Sequence, residues 1–385
     1  MISGFRKKNK AGLPALFLLW LLFANGGCIE KAGEFDSTQV IDFESLVLRD
    51  FTDLLSKSEL KMVPLETNPG ILVGDFNLFR KNGENYYLFS QQDGRIHRFD
   101  KNGTFLNSIG EVGVAPGEYH NPISFIVKGE QVYVLSNEGS MSQIHQFKKT
   151  GEFIGKMAFE ESTYYDLEML ENDLIFSTGS NPVFDNKYKL HVRSNKGESL
   201  KEFYPIEKRN LYSLAENNFH RYGKSVFYNE SFNNDVFVVN PEGIEKTYSV
   251  NFGKYNLRED AFEGHDALAN FDKILANGIG LIRSYFESEE LAYLNLVTQQ
   301  TDKATNFYHL FLDKKNGELN TFEALSGRAP AFEFINDNTI VLLIHPGDLL
   351  EYAGKHKEAF GEYEGLLGKM DINDNPVVME LKLNL

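Results

Sequence analysis

Phe99-Asp100-Lys101-Asn102-Gly103-Thr104-Phe105 returns further along the chain as Phe147-Lys148-Lys149-Thr150-Gly151-Glu152-Phe153. In both stretches an alternating apolar run enters a glycine turn and another leaves it. Asn-Gly between such runs is a strong hairpin signal, because a type I′ turn needs positive φ at both central residues. Weaker copies are centred on Gly197, Gly243 and Gly317, and the five glycines are spaced by 48, 46, 46 and 74 residues. A period of roughly 20–50 residues marks a repeat architecture. Each period here holds about four strand-like runs, the content of a propeller blade. In the first copy the runs at 71–79, 86–90, 96–99 and 104–109 are punctuated by Gly83, Gly94 and Gly103. Counting on places blades near 71–110, 120–160, 164–206, 212–253, 281–326 and 330–385. The predicted fold is all-β: a six-bladed β-propeller with four-stranded antiparallel blades.

The long spacing of 74 has a cause. Residues 256–280 break the strand rhythm and are expected to form a helical insertion capped by Asp260, with Phe262, Leu268, Phe271 and Leu275 at helical spacing. A second helical insertion is expected at 353–370, inside the last blade. The run 60–67 (Leu-Lys-Met-Val-Pro-Leu-Glu-Thr) precedes the first full blade, and the C-terminal run 376–383 completes only three strands of the sixth. Placing the N-terminal run as the outer strand of that last blade closes the ring and removes an exposed edge.

Composition agrees with a core-forming body: 42% of residues are hydrophobic, and Phe and Tyr number 32 and 18. The N-terminus carries a processing signal. Arg6, Lys7, Lys8 and Lys10 precede an apolar stretch at 13–24, too short for a spanning helix. The stretch ends in Asn25-Gly26-Gly27-Cys28, and Cys28 is the only cysteine. These residues resemble a bacterial lipobox, with Asn25 where the motif has Leu or Val. The resemblance implies lipid attachment at Cys28 and cleavage before it. The expected organisation is a lipoprotein signal peptide at 1–27, a tether and N-terminal segment at 28–58, and a propeller at 59–385. Loss of 1–27 removes four basic residues and no acidic ones, taking the formal charge from −16 to −20. Such a body repels phosphate backbones and anionic headgroups, so no nucleic-acid partner is expected and membrane attachment falls to the acyl chains.

Several further stretches resemble those of the six-bladed β-propeller lipoproteins of Bacteroidetes, which are related in shape to NHL-repeat propellers. These are Val63-Pro64-Leu65-Glu66-Thr67, Ile109-Gly110, Asn251-Phe252-Gly253-Lys254 and Asn375-Pro376-Val377. The family's Gly-x-Gly-Pro-Gly-Glu-Tyr appears as Gly113-Val114-Ala115-Pro116-Gly117-Glu118-Tyr119, with Ala115 for the second glycine. The resemblance spans about residues 51–385. It implies a Gram-negative cell-envelope protein, an outer-membrane lipoprotein whose periplasmic or surface exposure stays open, and it implies no chemistry.

Catalytic signatures are missing from the sequence. There is no His-Glu-x-x-His, no cysteine pair, no Gly-x-Ser-x-Gly and no phosphate-binding glycine loop, so no catalytic residue, metal ligand or cofactor is assigned. His97, His145 and His191 each stand six residues before a turn glycine, one per blade. Neighbouring blades hold such positions too far apart for metal–nitrogen bonds of about 2 Å, which leaves these histidines as packing residues of the repeat. Candidate ligand-binding residues come from topology, since loops entering the inner strands and loops joining second to third strands share one face. They are Glu118, Tyr119, His120, Asp93, Arg95, Asn137, Glu138 and Asp185. Two functions remain open. One is a monomeric binding or scaffold module for a glycan, peptide or protein partner. The other is a propeller lyase or hydrolase using channel-mouth histidine and carboxylates, with or without a divalent metal. A deep pocket joining His120 to two carboxylates would favour the enzyme.

Overall fold

Asp100 shapes the turn that opens the outer strand of the first blade. Its Oδ1 accepts the backbone N–H groups of Asn102 at 2.8 Å and Thr104 at 2.9 Å. The Gly103 N–H meets the Asp100 carbonyl at 3.0 Å, and Gly103 alone of the two central residues turns left-handed, at φ 84°. The hairpin is therefore a type I turn closed by a glycine bulge, a correction to the type I′ turn that Asn-Gly suggests. Ser194, Asn240 and Asp313 cap the matching turns of later blades in the same manner. A short acceptor three or four residues before the glycine explains why the motif survives as spacing rather than as identity.

The computed structural model describes residues 38–73, 76–159, 162–179, 186–206, 218–263, 267–325 and 332–384. Six antiparallel sheets form the blades of a β-propeller. Blade 1 holds Phe76–Asn82, Asn85–Ser90, Arg95–Asp100 and Phe105–Ile109. Blade 2 holds Pro122–Lys128, Gln131–Glu138, Met141–Lys148 and Phe153–Phe159. Blades 3, 4 and 5 begin with inner strands Asp166–Leu170, Phe219–Tyr222 and Ile279–Glu287, and blade 6 begins with Phe332–Asn336. Each inner strand touches the next, and the sixth meets the first, so the ring is complete. The apolar cores lie between blades: Phe125, Val134 and Phe147 of blade 2 pack with Tyr87, Ile96 and Ile109 of blade 1.

Closure follows the sequence expectation. Ser58–Pro64 pairs antiparallel with Val377–Leu383 as the outer strand of blade 6, with Val63 opposite Val378 and Leu60 opposite Leu381. The N-terminal segment adds strands to the ring. Gln39–Asp42 adds in parallel to the outer strand of blade 4, and Leu48–Arg49 adds in parallel to that of blade 5. The helix Phe51–Ser56, capped by Asp50, then buries Phe51 and Leu54. Residues 39–64 thus form a belt over three successive blades.

Both helical insertions are present, with shifted bounds. The first is the helix Ala267–Asn277, which starts after Asp260. Asp260 does not cap it. Its carboxylate pairs instead with Lys273 inside the helix at 2.8 Å and with Arg258 at 3.1 Å, and Phe262 packs on Phe232 outside the helix. The second begins earlier than expected, at the helix Pro346–Lys355, where Pro346 is favoured at a first-turn position. The 3-10 helix Lys357–Tyr363 and the short helix Glu364–Leu367 continue it. Phe360 and Leu349 join the core between blades 5, 6 and 1, so this insertion covers the closure. Among the described residues no helix is long and apolar enough to cross a membrane.

A cleft on blade 2

The connection between blades 1 and 2 is built as a small independent frame. Glu111–Val112 pairs in parallel with Glu118–Tyr119. Between them the Gly113 N–H reaches the Tyr119 carbonyl at 3.1 Å and the Glu118 N–H reaches the Ala115 carbonyl at 2.9 Å. Tyr119 is buried, and its hydroxyl donates to the Gly94 carbonyl at 2.8 Å. Gly110, at φ 65°, lies where a Cβ would overlap the Tyr119 ring, so the glycine is required by both conformation and space. The frame carries residues 113–120 out over the second, third and fourth strands of blade 2.

Beneath the frame lies a cleft of about 340 Å³. Glu118, Tyr119, His120 and Glu138 line it, as do Gln143, His145 and Lys156. Topology therefore brought four of the candidate residues together. Their roles differ. Glu118 Oε2 accepts the Ala115 N–H at 2.8 Å and so holds its own loop. Glu138 accepts from Gln143 Nε2 at 2.9 Å, which fixes the amide with its oxygen free for a ligand. Three other candidates have structural work elsewhere. Asp93 pairs with His97 at 3.1 Å, and Arg95 pairs with Glu111. Asn137 is buried, donating to the Tyr164 carbonyl at 3.0 Å and accepting from Ser142 at 2.6 Å. Asp185 and Cys28 lie outside the described residues.

His145 is the residue that the sequence reading set aside as packing. It is only 3% exposed, and among the described residues neither ring nitrogen has a hydrogen-bond partner. Each of its counterparts in the repeat keeps a hydrogen-bond partner. His97 Nδ1 meets Ser108 Oγ at 3.0 Å, and His191 Nδ1 meets the Tyr164 hydroxyl at 3.4 Å. Tyr119 packs edge-on against His145 as Tyr164 packs against His191, at 5.7 and 5.6 Å between centroids. In blade 2, however, the tyrosine hydroxyl has turned away to Gly94. The cross-strand position completes the difference. His97 faces Ser108 and His191 faces Glu202, whereas His145 faces Lys156. A lysine there has no acceptor to offer. Burial first, and then the Lys156 charge, push the His145 imidazole down to about 4, with Glu138 acting weakly the other way. At neutral pH it is an uncharged ring with one donor and one acceptor, both unused.

Such a group is costly unless something enters the cleft to meet it. Aligning the repeats would have exposed the signal, since Ser, Lys and Glu occupy one structural position. Among the described residues no group of three or more His, Cys, Asp or Glu is placed to hold a metal ion. His120 shares the cleft with two carboxylates, of which Glu118 holds its own loop through Oε2 and Glu138 accepts from Gln143 through Oε2.

Residues 38–382 match the model of a family described as a domain of unknown function, DUF4934. A protein of Bacteroides fragilis NCTC 9343 predicted to be exported has a similar crystal structure, with a TM-score of 0.71 at 16% identity. That match covers 90% of this chain and 99% of the other. A DUF4221 family member from Bacteroides vulgatus ATCC 8482 superposes with a TM-score of 0.54 at 13% identity, covering 84% of this chain and 96% of the other. No curated protein matches the chain. At these identities the likeness is one of fold.

Proposed function

Because the chain belongs to the DUF4934 family, whose function is undefined, its chemistry has to be inferred from the site itself, and we propose an extracytoplasmic binding propeller that takes a carbohydrate into the blade 2 cleft. The observation that carries this reading is the buried, unpartnered His145. Sugars offer closely spaced hydroxyls that donate and accept at once, and they offer apolar C–H faces. The cleft matches both. His145, Gln143, Glu138 and Lys156 supply neutral and charged hydrogen-bonding groups, while Val114, Pro116 and Phe153 supply apolar wall. Its volume suits one or two sugar rings.

A location outside the cytoplasm is supported by the leader at 1–27 and by the likeness to a protein predicted to be exported. Cys28 is the proposed site of lipid attachment, which would make the propeller a cell-envelope lipoprotein.

Calorimetric titration of the mature chain against neutral mono- and oligosaccharides tests the binding reading, with short peptides as a comparison set. The expected result is saturable binding by a sugar that is lost in His145→Phe and weakened in Gln143→Ala. Binding of peptides alone would replace the ligand class. Sugar binding that both variants retain would overturn the site.

A further inference from the structure

A second cavity, of about 300 Å³, lies on the propeller axis where the inner strands run out into their turns. It is separate from the cleft, and five blades contribute to it. Among its described lining residues, Arg80, Lys81, Lys128 and Arg221 are basic and only Glu168 is acidic. This is the reverse of the whole chain, where acidic residues exceed basic ones by 55 to 39.

The partners of these cations separate structural charges from available ones. Lys81 pairs with Glu380 at 2.5 Å, and Glu380 is also held by Lys61 and the Tyr86 hydroxyl. Lys81 therefore serves blade 6. Lys128 and Arg221 differ. Lys128 Nζ reaches only the Glu171 carbonyl, at 3.1 Å, and Arg221 Nε the Gly223 carbonyl, at 3.2 Å. Among the described residues neither has a carboxylate within ion-pair distance. Burial lowers the Lys128 ammonium below the usual lysine range, and the Arg221 charge adds to the effect against the opposing charges of Glu168 and Asp173. Like charges drawn together in a concave, partly desolvated site focus a positive potential there. Arg80 lies close enough to act on Glu168 and His220 as well.

We propose that this axial cavity is a binding site for a small oxyanion, a phosphate or carboxylate group, held between Lys128 of blade 2 and Arg221 of blade 4. A guanidinium offers two parallel N–H donors to such a group, and an ammonium adds a point charge from the opposite side. At about 300 Å³ the cavity has room for a small organic anion. Its ligand would join non-adjacent blades, and ligand that binds only the closed ring raises the unfolding temperature in proportion to occupancy. The site stands independently of the carbohydrate reading, since no residue is shared between the two cavities.

The test is thermal unfolding and isothermal calorimetry of the mature chain with inorganic phosphate and with citrate. Potassium chloride at matched ionic strength controls for screening. Saturable stabilisation by at least one oxyanion is expected, with affinity reduced tenfold or more in the Lys128→Gln/Arg221→Gln double variant and retained in His145→Phe. Unfolding of the double variant without anion, at or above the wild-type temperature, establishes that it folds. Phosphate alone or citrate alone would identify the oxyanion chemistry. Equal responses of wild type and double variant, or a response that chloride reproduces, would overturn the site.

Discussion

His145 shows how a repeat protein makes a site by failing to complete a structural lock. The shared Tyr–His packing remains in blade 2, while the hydroxyl and the cross-strand acceptor that satisfy the ring in other blades are gone. The consequence for stability has a definite sign. The folded ring titrates near 4 and an unfolded histidine near 6.5, so between those values the unfolded chain binds a proton that the folded chain refuses. Stability contributed by the neutral ring is present above pH 6.5 and is lost as pH falls towards 4. His145→Phe removes that dependence. Relative to wild type, the variant should gain about 2 kcal/mol between pH 7 and pH 4.5, read from urea unfolding at both values. Parallel pH slopes would show that the ring is hydrated or partnered in solution. His97, His191, His220 and His309 are also depressed by burial and contribute to the wild-type slope, which is why the difference between the two proteins is the informative quantity.

Between blades, the inner strands are tied by Asp166. The carboxylate is fully buried and accepts from Ser124 Oγ at 2.6 Å, from the Leu167 N–H at 2.9 Å, and from the Asn218 and Phe219 N–H groups at 2.7 and 3.1 Å. Three blades thus converge on one side chain. Burial raises its pKa, and the Arg80 charge and the Ser124, Leu167 and Phe219 donors oppose that shift. Asp166→Asn keeps the size but puts an amide N–H₂ where acceptors are needed. It should destabilise the ring by about 2–4 kcal/mol in chemical denaturation, since buried donors lose their partner. A loss below 0.5 kcal/mol would show that the strands are held by packing alone. Nothing in Asp166-Leu167-Glu168 announces this role, because its partners come from residues 124, 218 and 219. The blades themselves were legible for the opposite reason. Alternation, turn caps and glycines act within a few residues, so spacing alone yields six blades and the closing strand. The belt at 39–56 escaped notice because its strands are two and four residues long and add in parallel to distant edges. Topology likewise placed Glu118, Tyr119, His120 and Glu138 at one cleft, whereas the contacts that hold Asp93, Arg95 and Asn137 elsewhere are properties of three-dimensional structure.

For the whole molecule, the distribution of charge decides how it can be held at a membrane. Residues 28–385 carry a formal charge of −20, and the basic groups gathered on the axis line a cavity rather than a surface patch. Electrostatic attachment to anionic headgroups is therefore unfavourable. Within the N-terminal segment the belt engages blade 4 from Gln39 onward. On the proposed lipidation of Cys28, attachment would act through acyl chains at that residue, and two chains on one residue give stable rather than marginal attachment. The wild-type protein should stay with membranes through a high-salt wash and be released by detergent. Cys28→Ala should appear in the soluble fraction with an unchanged unfolding temperature, because the propeller begins well beyond residue 28. Release of the wild type by salt, or membrane retention of Cys28→Ala, would transfer the anchoring role from the lipid to a protein partner on the propeller surface.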